Sequence, residues 1–115
     1  MSKTPADLVK EAKASITEIS VADAKALTDG ETVFVDVREP PEWQAGTVPG
    51  ALTIPRGVLE WKSGDEPQLA DKSTPIIVYC KSGGRSALAA QSLQVLGYTN
   101  VKSMAGGFEA WSADS

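Results

Sequence analysis

The chain has 115 residues, 42% of them hydrophobic and 23% charged, with a formal net charge of −4. This is the length of one domain and the balance of an ordinary globular protein, which excludes a disordered tail, a collagen-like repeat and a disulfide scaffold. No apolar run approaches the roughly 20 residues of a membrane helix, and the acidic balance argues against general nucleic-acid binding. There is no histidine and only one cysteine, Cys80. That removes the usual zinc ligands, the Ser-His and Cys-His catalytic sets, internal disulfides and thiolate metal clusters, so neither metal nor cofactor is expected. The N-terminus is charged throughout and lacks an apolar signal core. With a lone thiol this predicts a reducing compartment, the cytoplasm.

The first expected element is a helix over 4–15. Thr4 is placed to cap it, Pro5 suits its first position, and Asp7 completes a capping box. Leu8, Ala12 and Ile16 recur every four residues on one face. A short extended stretch follows around Ile16–Val21. Ser20 and Asp23 then cap a helix over about Val21–Thr28, stopped by Asp29-Gly30. Val33–Val37 is a compact β-branched run and reads as a buried strand. Residues 39–43 form a loop entering a short helix ended by Gly46, and Ala51–Ile54 is a strand after the Pro49-Gly50 turn. Gly57–Lys62 reads as a helical turn and Ser63–Thr74 as mostly loop. Pro75–Tyr79 is the clearest strand. Ser86–Leu96 is a helix with Leu88, Ala89, Ser92, Leu93 and Leu96 on one face. Val101–Met104 is a last strand, followed by a Gly106-Gly107 turn and a helical turn over Phe108–Trp111. Strands alternating with helices imply an α/β fold, a mainly parallel sheet of about five strands covered on both faces.

Chemistry is concentrated between the clearest strand and the next helix, in Cys80-Lys81-Ser82-Gly83-Gly84-Arg85-Ser86. Ligands of open α/β sheets bind beyond the carboxyl ends of strands, which is where this thiol stands. Two glycines let the backbone curl so that several N–H groups turn inward as an anion nest, and the helix N-terminus adds positive partial charge. Lys81 and Arg85 add full charges. A thiolate so placed has a lowered pKa and is a competent nucleophile. A buried inert cysteine is the commoner fate of a lone thiol, but it does not account for the surrounding pattern.

The chain resembles single-domain rhodaneses. The resemblance rests on four pieces in the family's order: Asp36-Val37-Arg38, the stretch Glu42–Ala51, the Cys80 loop, and Gly106-Gly107-Phe108-Glu109-Ala110-Trp111. Together they cover about residues 16–112, leaving the 4–15 helix outside. Thr47 departs from the pattern, since the family often carries a structural histidine there. The resemblance implies a rhodanese-like fold and sulfurtransferase chemistry. The Cys80 thiolate takes the sulfane sulfur of a small anionic donor such as thiosulfate, and a thiol or cyanide acceptor removes it from the persulfide. A sulfur-relay protein is a further expected partner; nucleic acid and membrane are not. In this reading the amides from Lys81 to Ser86 (Lys81, Ser82, Gly83, Gly84, Arg85, Ser86) bind the donor. Arg85 either faces the donor's anionic end or braces the loop. Asp36 is expected either to pair with loop amides or with Arg85, or to be an exposed acid at a strand end. Arg38 and Arg56 are expected either to make the pocket mouth cationic or to lie solvated. Trp43 and Trp111 read as packing, and Trp61 as a pocket wall.

Two other readings stand beside this one. Cys-dependent phosphatases and arsenate reductases share the Cys-loop-Arg logic but use C-x5-R, whereas Cys80 to Arg85 is C-x4-R, and no general acid is evident. Non-catalytic rhodanese-like binding modules commonly lack the cysteine that this chain keeps.

Overall fold

The computed structural model describes residues 2–114. Its sheet has five parallel strands in the order β1-β5-β4-β2-β3. They are β1 (Thr17–Ile19), β2 (Val33–Asp36), β3 (Leu52–Thr53), β4 (Ile76–Tyr79) and β5 (Val101–Met104). The helices are α1 (Pro5–Ser15), α2 (Val21–Lys25), α3 (Pro40–Trp43), α4 (Leu59–Asp65), α5 (Gly84–Val95) and α6 (Gly107–Ala113). Parallel pairing needs crossovers, and the crossovers carry the helices to both faces.

Central β4 shows how one sequence serves both faces. Successive side chains of a strand point to opposite sides. Ile76, Val78 and Cys80 face one core with Val35, Val37, Leu59, Ala89, Ala90 and Leu93. Ile77 and Tyr79 face the other with Val21, Ala24, Phe34, Val48 and Met104. The first core is covered by α4 and α5, the second by α2 and α6.

Both expected caps form. Thr4 Oγ1 accepts from Asp7 N at 3.1 Å while Asp7 Oδ2 accepts from Thr4 N at 2.9 Å. Ser20 Oγ accepts from Asp23 N at 3.1 Å. The buried face of α1 is phased differently from the expectation: Leu8 is 47% exposed, whereas Ala12 is buried. A four-residue repeat outruns the 3.6-residue turn, so half-buried Val9 turns inward instead. Regular α2 ends at Lys25, with turns continuing to Asp29. The 63–74 stretch is more ordered than a loop. Helix α4 runs into it, and Pro67–Leu69 forms a 3-10 turn whose Gln68 N donates to Glu66 Oε2 at 3.1 Å. Leu69 is buried, and its carbonyl accepts from the Tyr98 hydroxyl at 2.7 Å. Helix α5 starts two residues before the expected Ser86. Its buried stripe is Ser86, Ala87, Ala89, Ala90 and Leu93, with Leu96 at its end exposed.

Leu93 is fully buried where α5 meets the sheet. Leu93→Ala is expected to cost about 2–5 kcal/mol, the range for emptying a fully buried leucine site in a packed core. Urea unfolding followed by tryptophan fluorescence measures the loss.

Candidate active site

Cys80 is the first residue past β4, and strand parity turns its side chain toward α5. It is buried, with 1% of its surface exposed. The chain between β4 and α5 folds back around the sulfur. Gly83, at φ 111°, occupies the left-handed region that disfavours a side chain and so makes the reversal available. Gly83 N then lies 3.1 Å and Ser86 N 3.4 Å from Sγ. The Ser86 hydroxyl lies 3.6 Å from the same sulfur. Burial is the largest single influence on the thiol and pushes its pKa up. The Ser86 amide, the Ser86 hydroxyl and the Gly83 and Ser82 amides oppose it, and together they win, leaving Cys80 below the ordinary thiol value. These donors all favour the anionic form of the sulfur.

Of the predicted loop residues, Ser82, Gly83 and Ser86 act on the sulfur in this way. Gly84 opens α5, where a Cβ would lie 3.8 Å from Val9 Cγ2 of α1. Lys81 is exposed and edges an open groove with Arg38, Glu42, Ala45, Phe108 and Glu109. Arg85 makes a two-pronged pair with Glu42 of α3, Nη1 to Oε1 at 2.7 Å and Nη2 to Oε2 at 3.0 Å. Between the two roles open to Arg85, this geometry is that of a brace joining the loop to α3.

Asp36 does not meet the loop amides or Arg85. Its parity in β2 matches Phe34, not Val35, so it points to the face away from Cys80. There it binds Arg38, with Nη2 to Oδ2 at 2.7 Å and Nε to Oδ1 at 3.0 Å, and accepts the Arg38 amide at 2.9 Å. Arg38 is neither solvated nor a free cation at the mouth. It is 5% exposed, donates to the Gly46 carbonyl at 2.7 Å, and lies 4.4 Å over the Phe108 ring. Arg56 is also engaged away from the loop, with Glu60 at 3.0 Å and Ser92 Oγ at 3.2 Å. Trp61, expected as a pocket wall, is instead 80% exposed. Trp111 packs edge-on against Phe34, as expected of a packing residue.

Three contributors escape local pattern reading. Glu42 anchors Arg85. Ser103 of β5 lies 2.8 Å from Ser86, oxygen to oxygen. Gly107 lets the start of α6 press onto the loop: a Cβ there would sit 2.5 Å from the carbonyl oxygens of Cys80 and Lys81. Those carbonyls accept from Phe108 N at 2.8 Å and Glu109 N at 3.1 Å. The Gly-Gly pair was a visible signal for close backbone approach, and Glu42 sits in the Glu42–Ala51 motif; Ser103 left no signal in sequence.

The Arg85 hydrogen bonds hold Glu42 at about 2, against its ordinary 4.5, with burial opposing and the Glu39 amide assisting. A lowered carboxylate stabilises the fold above its unfolded pKa and loses that contribution as pH falls through the folded one. The stability difference between wild type and Glu42→Gln is thus expected at full size at neutral pH and to shrink as pH falls from 4.5 toward 2. Chemical denaturation of both proteins across that range checks it.

The family model described as "Rhodanese-like domain" matches residues 20–114. The chain is 35% identical over 96 residues to the "Putative thiosulfate sulfurtransferase, mitochondrial" of Schizosaccharomyces pombe, covering 73% of this chain and 66% of that protein. Of another curated relative the chain spans 24%. Among solved structures, a Rhodopseudomonas palustris protein of unknown function, described as "Possible Tyrosine Phosphatase", is 33% identical with a TM-score of 0.88, over 99% of this chain and 92% of that one. The human single-domain sulfurtransferase TSTD1 is 28% identical with a TM-score of 0.75, over 85% of this chain and 96% of that one. With its parallel sheet, its Cys80 loop and the family match over nearly the whole chain, the protein belongs to the rhodanese-like domain family.

Proposed function

We propose that the protein is a sulfurtransferase that moves a sulfane sulfur from a small anionic donor such as thiosulfate to a thiol or cyanide acceptor, through a persulfide on Cys80. The observation that carries this reading is the buried Cys80 sulfur facing the Gly83 and Ser86 amides and the Ser86 hydroxyl, with its pKa lowered. In the first step the thiolate attacks the outer sulfur of thiosulfate. A sulfur–sulfur bond forms to Cys80, the bond to the sulfonate sulfur breaks, and sulfite leaves with the electron pair. The persulfide keeps one negative charge, so the amides that held the thiolate have an anion to hold at the end as well, without reorganisation. In the second step an acceptor nucleophile attacks the outer sulfur and frees the Cys80 thiolate. Cys80 is the chain's only cysteine, so no internal disulfide resolves the persulfide and the acceptor comes from outside. A sulfur-relay protein is one such acceptor. A reducing compartment, the cytoplasm in our reading, keeps the thiol available.

The phosphatase reading draws on the description of the Rhodopseudomonas palustris neighbour. Against it, the loop is one residue shorter than C-x5-R, and its arginine is committed to Glu42 rather than turned toward the space beside Cys80. A binding module without chemistry has no use for a cysteine whose sulfur meets this set of donors.

Incubation with thiosulfate is expected to add one sulfur atom to the intact protein, at Cys80. Cys80→Ser is expected to lose both that gain in mass and all cyanide-dependent turnover while unfolding at the wild-type temperature. An unmodified mass with thiosulfate, together with turnover of an aryl phosphate, would replace the sulfurtransferase reading by the phosphatase one. Arg85→Ala separates brace from substrate contact. As a brace, it is expected to lower kcat/KM for thiosulfate and for an uncharged sulfur donor alike, by about one decade each. A selective loss with thiosulfate would show that Arg85 touches the anion.

A further inference from the structure

The Ser86 hydroxyl beside the Cys80 sulfur is itself hydrogen-bonded to a residue that takes no part in the loop. Ser103 lies on β5, two residues after Val101, and parity places it on the same face of the sheet, toward α5. It pairs in register with Val78, two residues before Cys80. Its side chain is fully buried, and its hydroxyl lies 2.8 Å from Ser86 Oγ. A buried hydroxyl is costly unless bonded, and this bond is what satisfies it.

Each serine hydroxyl has one proton to give and lone pairs to receive with. A thiolate or persulfide can only accept. With an anionic sulfur, the Ser86 proton must point at Sγ for that contact to be attractive. The short contact between the serines is then a hydrogen bond only if Ser103 is the donor. Without Ser103, the Ser86 oxygen has no partner on its far side, and its hydroxyl is free to rotate. We propose that Ser103 is a positioning residue: its hydroxyl donates to Ser86 Oγ and thereby commits the Ser86 proton to the Cys80 sulfur. The chain Ser103–Ser86–Cys80 runs from one strand to its neighbour by way of the first turn of α5. It also strengthens each bond by polarising the next.

The charged neighbours of the loop are Lys81 and Arg85 within it, Arg38 after β2, Glu39 and Glu42 at α3 and Glu109 on α6. Neither serine hydroxyl bonds to any of them among the described residues, and α1 meets the start of α5 through Val9. The inference rests on Cys80 being the nucleophile, but its test needs no sulfur transfer. The full chain is alkylated with iodoacetamide across a pH series, and the midpoint of the rate profile is read for wild type, Ser103→Ala, Ser86→Ala and the double variant. Circular dichroism at the assay temperature verifies that each is folded. Ser103→Ala is expected to raise the midpoint, weakening ionisation about three- to tenfold. On the Ser86→Ala background the same change is expected to do nothing further, because the hydroxyl through which it acts is gone. A folded Ser103→Thr, which keeps the hydroxyl, is expected to hold the wild-type midpoint. An unmoved midpoint in Ser103→Ala, an equal rise on both backgrounds, or an alanine-like midpoint in folded Ser103→Thr would overturn the assignment. Persulfide formation is scored separately by mass. Failure to gain sulfur would remove the sulfurtransferase reading and leave the role of Ser103 standing or falling on the profile alone.

Discussion

A sulfur anion removed from water must be given donors in place of the water it lost, or it takes a proton and ceases to be a nucleophile. Cys80 is all but sealed from solvent, so its surroundings must supply those donors from backbone amides and a hydroxyl. That requirement explains the local architecture. The fully buried β4 delivers the sulfur to a fixed point. The left-handed turn at Gly83 reverses the chain so that amides converge on that point. The first turn of α5, whose amides have no partner within the helix, supplies the Ser86 donor.

The two faces of the sheet divide the work. The α5 face carries the sulfur and its donors. The opposite face carries the buried Asp36–Arg38 pair, with Tyr79 and Phe108 against the guanidinium. The faces are joined through the backbone: Phe108, under Arg38, donates its amide to the Cys80 carbonyl. A buried ion pair is weak evidence for stability in itself. Here it fixes Gly46 and Phe108 in place behind the loop, while Glu42 and Arg85 fix the front.

Much of this was legible in the chain. The strand–Cys–Gly-Gly–helix pattern marked the loop, the S/T-x-x-D caps marked two helix starts, and the order of motifs pointed to the family. What was not legible depends on which way a side chain turns and on what lies across the fold. Asp36 was expected beside the loop because it ends a strand at the same edge, yet counting alternate residues along β2 sends it to the far face. Leu8 was expected to be buried because it repeats with Ala12, yet the helix turns slightly faster than that repeat. Ser103 carries no local mark at all, and Glu42, though it opens a motif, carries none that points to Arg85. Each matters through a partner distant in sequence, Arg85 for one and Ser86 for the other.

The elements that complete the cradle lie downstream of the cysteine they serve. Ser103 backs Ser86, and the amides of Phe108 and Glu109 pin the Cys80 and Lys81 carbonyls. During translation the strand bearing Cys80 leaves the ribosome before β5 and α6 exist. On the nascent chain the thiol is therefore an ordinary cysteine, mostly protonated at neutral pH and slow to react with oxidants or electrophiles. The contacts that back the loop form only when β5 and α6 close behind it, and in the finished fold the sulfur is buried. The order of synthesis thus makes the donor cradle one of the last parts of the domain to be completed.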